Sequence, residues 1–197
     1  MIARHAPQAR HSQEGTSMIE VLVAIVIVVV GLLGLAGLQS RAALAEMESF
    51  QRAQALVLLQ DMADRLNANR KNSMSYVTST PVGTGRAIED CVPLNGAARD
   101  LCEWNNALLG ASETQGSSKI GAMLGARGCV TVVSPNMPRR FVVSVVWQGF
   151  NPTASPGATS CGQGQYDAAD LTRRAVTANV TIGCLQNDPV SLACLTP

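Results

Sequence analysis

Few residues in this chain are equipped for chemistry, and where they stand narrows what that chemistry is. Both histidines, His5 and His11, lie in the first eleven residues. If that stretch is removed, no imidazole remains, which excludes Ser-His-Asp and Cys-His catalysis and His-ligated metals. The six cysteines, Cys91, Cys102, Cys129, Cys161, Cys184 and Cys194, all fall in the second half, none closer than ten residues to the next. A zinc or iron–sulfur site needs a short Cys-x-x-Cys type of knuckle so that neighbouring thiolates converge on one ion. This even, dispersed set reads instead as disulfides formed in an oxidising compartment. Sequence leaves the connectivity open; local closure of Cys184 with Cys194 and of Cys91 with Cys102 is the expectation. Asp167 and Asp170, beside Tyr166, have no evident third ligand and read as solvated loop acids rather than a calcium site. Gly83-x-Gly85 lacks the third glycine and the preceding strand of a phosphate cradle. Asn179-Val180-Thr181 matches a glycosylation triplet but falls in a strand-like run. No metal, no cofactor and no catalytic residue is expected.

The informative acid is Glu20. It directly precedes Val21 to Leu38, eighteen residues without a charge or a hydrogen-bonding side chain, which Met18 and Ile19 extend upstream. At 1.5 Å per residue such a run spans ~27–30 Å, about the hydrocarbon thickness of a bilayer. A secretory signal peptide has a shorter apolar region and ends in a small-x-small site, whereas this run continues into helix-forming sequence after Leu38. Ahead of it, Met1 to Gly15 holds Arg4 and Arg10 against one acid, Glu14. The positive-inside tendency keeps that leader cytoplasmic and sends the bulk of the chain outward, which suits the cysteines. A carboxylate at the edge of a membrane helix costs a few kcal/mol unless it reaches the headgroups or is paired, so Glu20 either snorkels or serves a purpose.

These residues resemble a known family. Gly15-Thr16-Ser17-Met18-Ile19-Glu20-Val21-Leu22-Val23-Ala24 is similar to the class III signal of type IV prepilins. Gly31-Leu32-Leu33-Gly34-Leu35-Ala36-Gly37-Leu38-Gln39, then Asp61-Met62-Ala63-Asp64-Arg65-Leu66 with Ala68-Asn69-Arg70, and Asp100-Leu101 with Trp104 and Leu108, resemble PilV-type minor pilins. The likeness is dense over about residues 14–70 and thins beyond. It implies cleavage between Gly15 and Thr16 by a prepilin peptidase, N-methylation of Thr16, and pairing of Glu20 with the free amine of Thr16 on a neighbouring subunit. Thr16 departs from the phenylalanine with which major pilins usually begin. Pairing makes physical sense, because a buried lone carboxylate is very costly and a paired one tolerable, so the charge selects a stagger between neighbours. The implied partners are other minor pilins, the major pilin, the peptidase, an inner-membrane assembly platform and the membrane itself.

The elements that must carry these residues follow from composition and period. Residues Gln39 to Asn69 hold no proline or glycine and are rich in good helix formers. Ala55, Leu58, Leu59, Met62 and Leu66 recur at three- and four-residue spacing, an amphipathic stripe. One helix from about Thr16 to Asn69 is therefore expected. Gly31, Gly34 and Gly37 are either a soft, closely packed stretch or ordinary membrane-helix glycine. Lys71 to Gly128 reads as a long irregular connection containing a short helix, Ala98 to Leu109, anchored by Trp104. Strands are expected at Cys129–Ser134, at Arg140–Gln148 with Phe141, Val143, Val145 and Trp147 on one face, and at Ala175–Cys184 with Val176, Ala178, Val180, Ile182 and Cys184 on one face. Pro135-Asn136-Met137-Pro138 makes a turn, Asn151 to Gln165 an exposed loop, and Asn187 to Pro197 a tail.

The expected fold is α+β and pilin-like, a long helix packed on a small antiparallel sheet and braced by disulfides. The expected organisation is a cleaved cytoplasmic leader 1–15, a transmembrane or filament-core helix 16–38, its amphipathic half 39–69, and a periplasmic head 70–197. With aromatics at 4%, the core is small enough to need covalent help. At 47% apolar and 15% charged, the chain is no disordered tail. Leader removal takes two of 15 basic and one of 14 acidic residues, leaving 13 of each over 182 residues, so capture of nucleic acid is not expected. The leading function is a minor pilin that primes or caps type IV pili, serving motility, adhesion or DNA uptake through the fibre. The alternative is a minor pseudopilin of a type II secretion system; a membrane-anchored periplasmic enzyme is disfavoured by the missing histidine, nucleophile–base pair and metal cluster.

Overall fold

The computed structural model describes residues 17–111, 114–115, 118–119, 123–187 and 194–196. Along the chain run α1 (Met18–Ala68), a 3-10 helix (Arg70–Tyr76), β1 (Val82–Gly83), α2 (Gly96–Leu108), β2 (Thr114–Gln115), β3 (Ser118–Lys119), β4 (Arg127–Ser134), β5 (Arg139–Gln148), β6 (Arg173–Ile182), β7 (Gln186–Asn187) and β8 (Cys194–Thr196). Two compact units meet within α1, at Ala45/Glu46.

In the first unit α1 is an apolar helix whose described side chains are all exposed. Ser17 starts it: its carbonyl accepts from the Glu20 and Val21 N–H groups at 2.9 and 3.3 Å, and its Oγ from Ile19 N–H at 3.3 Å. The Ser-x-x-Glu pattern is that of a helix N-terminus, and an acid in the first turn suits the positive end of the helix dipole. Val and Ile are mediocre helix formers in water. In hydrocarbon, however, a single segment satisfies its backbone only as a helix. The best eighteen-residue window has a mean hydropathy of 3.1 and none of it is buried in the protein.

In the second unit the rest of α1 lies on a four-stranded antiparallel sheet ordered β1-β4-β5-β6. Gln51, Ala55, Leu59, Met62, Ala63 and Leu66 are its buried face, while Leu58 is only half-buried. All of these but Gln51 share one core with Phe141, Val143, Val145 and Trp147 of β5, and with Val176, Val180 and Ile182 of β6. β6 ends at Ile182, two residues short of Cys184. Trp104 of α2 is fully buried in the same core and its indole N–H donates to Leu58 O at 2.9 Å. Gly128 makes room for it, since a Cβ there would stand 2.3 Å from Trp104 Cη2. Gly110, with φ +68°, closes α2 as a left-handed residue just past its end.

Three expectations need correction. The stretch after α1 is less irregular than its polar composition suggests: Ser73 and Tyr76 of the 3-10 helix are buried, and β1 pairs with β4 at Val82–Gly128. The second face of β5 is also covered, for Ser144 and Val146 are fully buried. The cover is the segment between β5 and β6, expected as an exposed loop. Much of it is exposed, but Cys161 is 5% exposed and packs with Cys129 and Val146 against Tyr166 and Ala175. Cys129 and Cys161 form a disulfide, a pairing that local closure did not anticipate. Cys91 pairs with Cys102 as expected. Cys184 is disulfide-bonded too; its expected closure with Cys194 falls outside the described side chains.

Candidate functional site

The site singled out by sequence divides between two places. Gly15 and Thr16 lie outside the described residues. Glu20 sits in the first turn of α1, where it heads a shallow apolar furrow formed by Val21, Ala24, Ile25, Val28 and Val29. No cation among the described residues forms an ion pair with its carboxylate. An acid beside so apolar a run is costly unless a cation or water reaches it. A Cβ added at Gly31, Gly34 or Gly37 would meet no atom of the described residues within 4 Å beyond the helix's own nearby backbone. Their openness leaves that surface free for close approach by another helix.

The residues that carry the family resemblance on the head come together, and they do structural work. Arg65 Nε bonds both Asp61 carboxylate oxygens at 3.0 Å; its Nη1 reaches Asp100 Oδ1 at 3.0 Å and Glu103 Oε2 at 2.7 Å. Arg99 holds the other Glu103 oxygen at 2.8 Å. The Tyr76 hydroxyl donates to Asp100 Oδ2. One guanidinium thus ties α1 to α2 and, through Asp100, to the 3-10 helix. Burial works against the Arg65 charge, but the bonds to Glu103 and Asp61 outweigh it and raise its pKa. Glu103 is held below the usual carboxylate range by Arg65 first and Arg99 second. Burial, then the bond to Asp100, pushes the Tyr76 phenol up to about 12. Arg65 and Asp61 were visible in the sequence as motif residues; Tyr76 and Glu103, inside polar stretches, were not.

Asp167 and Asp170 are not free solvated loop acids, since both are engaged by the protein's own donors. Asp167 accepts from the N–H groups of Ala169, Leu171 and Thr172 at 3.0, 3.1 and 2.8 Å and from the Thr172 hydroxyl, and the last of these contacts is the chief reason its pKa is lowered. Asp170 is buried and pairs with Arg173, whose Nη2 stands 2.6 Å from Oδ2. Arg173 is 1% exposed and also donates to the carbonyls of Thr159, Cys161 and Pro156 at 2.8, 3.0 and 3.2 Å. That guanidinium draws the Asp170 carboxyl down to about 2, helped by Ser155 and the Gly164 N–H. The pair fastens the covering segment to β6. No cluster of three potential metal ligands occurs among the described residues.

The other sequence features are accounted for locally. Gly83 N–H donates to Asn105 Oδ1 at 2.9 Å, and a Cβ at Gly83 would lie 2.5 Å from Ala126 O, so this glycine serves packing. Asn179 and Thr181 are exposed but lie within the ten paired residues of β6.

Comparison with known proteins places the chain near one group. A family model described as Tt1218-like, type IV pilin Tt1218, matches residues 37–106. That stretch takes in the second half of α1, the Arg65 cluster and most of α2. Neither a curated protein nor a solved structure matches the chain significantly.

Proposed function

We propose, from the likeness of residues 37–106 to type IV pilins, that this chain is a pilin subunit, made as a prepilin and used as a building block of a filament. The apolar half of α1 anchors it in the inner membrane with its head in the periplasm. A prepilin peptidase cuts after Gly15, Thr16 becomes the methylated N-terminus, and an assembly platform in the inner membrane extracts the subunit into the fibre. The observation that carries the reading is a single helix with two habits. Its first half is apolar and exposed on every side, while its second half, inside the family match, is one wall of an α+β core. A surface of that kind is stable only in lipid or among other helices like itself. Glu20 then pairs with the Thr16 amine of the adjoining subunit, which relieves two charges and fixes their stagger.

More finely, the chain is a PilV-type minor pilin that primes or caps the fibre together with other minor pilins and the major pilin. The resemblance at Asp61, Arg65, Asp100, Trp104 and Leu108 supports that assignment. Mass spectrometry of protein from sheared filaments tests it. A mature N-terminus at Thr16 in that fraction is the expected result. An intact Met1 leader refutes the processing, and absence from fibres with secretion blocked on deletion points to a pseudopilin instead.

A further inference from the structure

The charges of the head are unevenly answered. Arg65, Arg99, Arg173 and Arg174 each hold a carboxylate. Where β5 begins and β6 finishes, Arg70, Lys71, Arg139 and Arg140 form no ion pair among the described residues. Neutral acceptors gather them at that end: Arg70 Nη2 donates to Gly183 O at 2.8 Å, Arg139 Nη1 to Ser73 Oγ at 3.3 Å and Arg139 Nε to Pro135 O at 3.2 Å. Arg70 Nε is buried without an acceptor, while Lys71 and Arg140 are exposed. Four like charges on one end of a fold repel one another and favour an anion from outside.

The complementary charge stands elsewhere on the same head. Asp61, Asp100 and Glu103 are taken up by Arg65 and Arg99. Glu89 and Asp90 are exposed, belong to no ion pair among the described residues, and border a hollow of about 420 Å³ with Arg99, Glu103 and Asn106. Asn106 fixes their loop on α2, donating to Glu89 O at 2.7 Å and accepting from Glu89 N–H at 3.1 Å. Arg86, which shares a neighbouring hollow with Glu89, gives its guanidinium to oxygens of Thr80 and Pro81. A Cβ at Gly96, where α2 starts, is 3.7 Å from Asn69 Nδ2, next to Arg70. Asn106 lies ~15 Å further along the helix axis. That spacing exceeds the ~8 Å Debye length at physiological salt, so the two charges do not neutralise each other within one head.

We infer that the basic end of one head seats against the Glu89–Asp90 loop of a second copy; the inference rests on the pilin reading above, in which heads meet in a fibre. The two surfaces differ, so the contact is heterologous and repeats from copy to copy as a filament requires. Charge of this kind steers the encounter and fixes its register more than it supplies affinity.

Full-length protein in non-ionic detergent tests the contact, with the photo-crosslinker benzoylphenylalanine in place of Asn136, an exposed residue of the turn that Arg139 bonds. Mass spectrometry of the crosslinked dimer should join residue 136 to the tryptic peptide 87–99 of the second copy. Dimer yield should fall about fivefold between ~50 and ~500 mM salt. Lys71→Glu with Arg140→Glu should lower it about fivefold, as should Glu89→Lys with Asp90→Lys. All four changes in one chain should restore it, which also shows that the reversals leave the fold intact. Absence of the dimer, crosslinks to other peptides, indifference to salt, or reversals that do not rescue one another overturn the contact and leave the pilin reading standing. An intact Met1 leader on chain recovered from fibres refutes that reading, and the inference falls with it.

Discussion

Asp170→Asn offers a clean perturbation of the head, because asparagine is nearly isosteric and tolerates the left-handed backbone that Asp170 adopts at φ +58°. The charge is lost, and one of the two acceptor oxygens becomes an NH2 donor facing the Arg173 and Ser155 donors. The carboxyl is drawn from an ordinary 3.8 to about 2, and that displacement is worth about 2 kcal/mol of folding stability. Removing one partner of a buried pair costs ~3–5 kcal/mol in general. Arg173 keeps three carbonyl acceptors in the variant, so a loss of ~2–4 kcal/mol is expected, or roughly 5–10 °C in melting midpoint for a domain of this size. The acid dependence has a definite sign. A carboxyl whose folded pKa is depressed stabilises the fold above its unfolded value and ceases to do so as pH falls from about 4 to about 2. Wild-type protein should therefore lose this increment across that window, and the variant, which lacks it throughout, should show a shallower acid slope. Thermal melts followed by near-UV circular dichroism in non-ionic detergent, repeated down that pH range, measure both. Midpoints that agree within ~1 °C at neutral pH, with parallel acid slopes, would refute the view that this pair fastens the covering segment.

Other outcomes can be checked independently. Glu20→Ala should leave leader processing largely intact yet sharply reduce recovery in sheared fibres; normal incorporation would show that the carboxylate does not set the register. Gly128→Ala drives a methyl into the Trp104 ring and should destabilise the head by ~1–3 kcal/mol, read by urea unfolding of the detergent-solubilised chain. Replacing Asp100 by asparagine should lower the Tyr76 phenol from about 12 while leaving it above the ordinary 10, because burial is the larger cause, and ultraviolet titration follows it directly. Serine at both Cys129 and Cys161 opens a closure 32 residues apart and should cost ~3–4 kcal/mol, with hydrogen exchange rising first in residues 151–165.

The parts of this fold that were legible from sequence are those where one face meets one environment. The stripe along the second half of α1, the alternation on β5 and the isolated Trp104 each announce a buried side, and the structure places them in one core. The chargeless run before residue 39 is legible for the same reason, since nothing about it changes around the helix. What stayed hidden depends on two partners distant in sequence. Only one face of β5 was expected to be buried, and nothing in the composition of residues 151–165 identified them as the cover of the other. Arg173 has no pattern around it that betrays burial; its five donors find acceptors that only the folded loop presents. Asp61, Arg65 and Asp100 stood out by resemblance, yet their meeting through Tyr76 and Glu103 required the 3-10 helix to fold beneath α2. For Glu20 the reason is different in kind: no cation among the described residues pairs with it.

No cysteine lies in α1, so no disulfide can include it; Cys91–Cys102 closes the segment before α2 onto α2, and Cys129–Cys161 ties β4 to the strap over its back face. The grip of the sheet and α2 on α1 is therefore entirely non-covalent, a lengthwise seam of Ala55, Leu59, Met62 and Leu66 with the ion pairs Arg65–Asp100 to α2 and Arg174–Glu48 to β6 as rivets. Traction applied along α1 loads this seam in shear, so many contacts share it at once, and a reducing milieu would slacken the outer coat without touching the line along which tension travels.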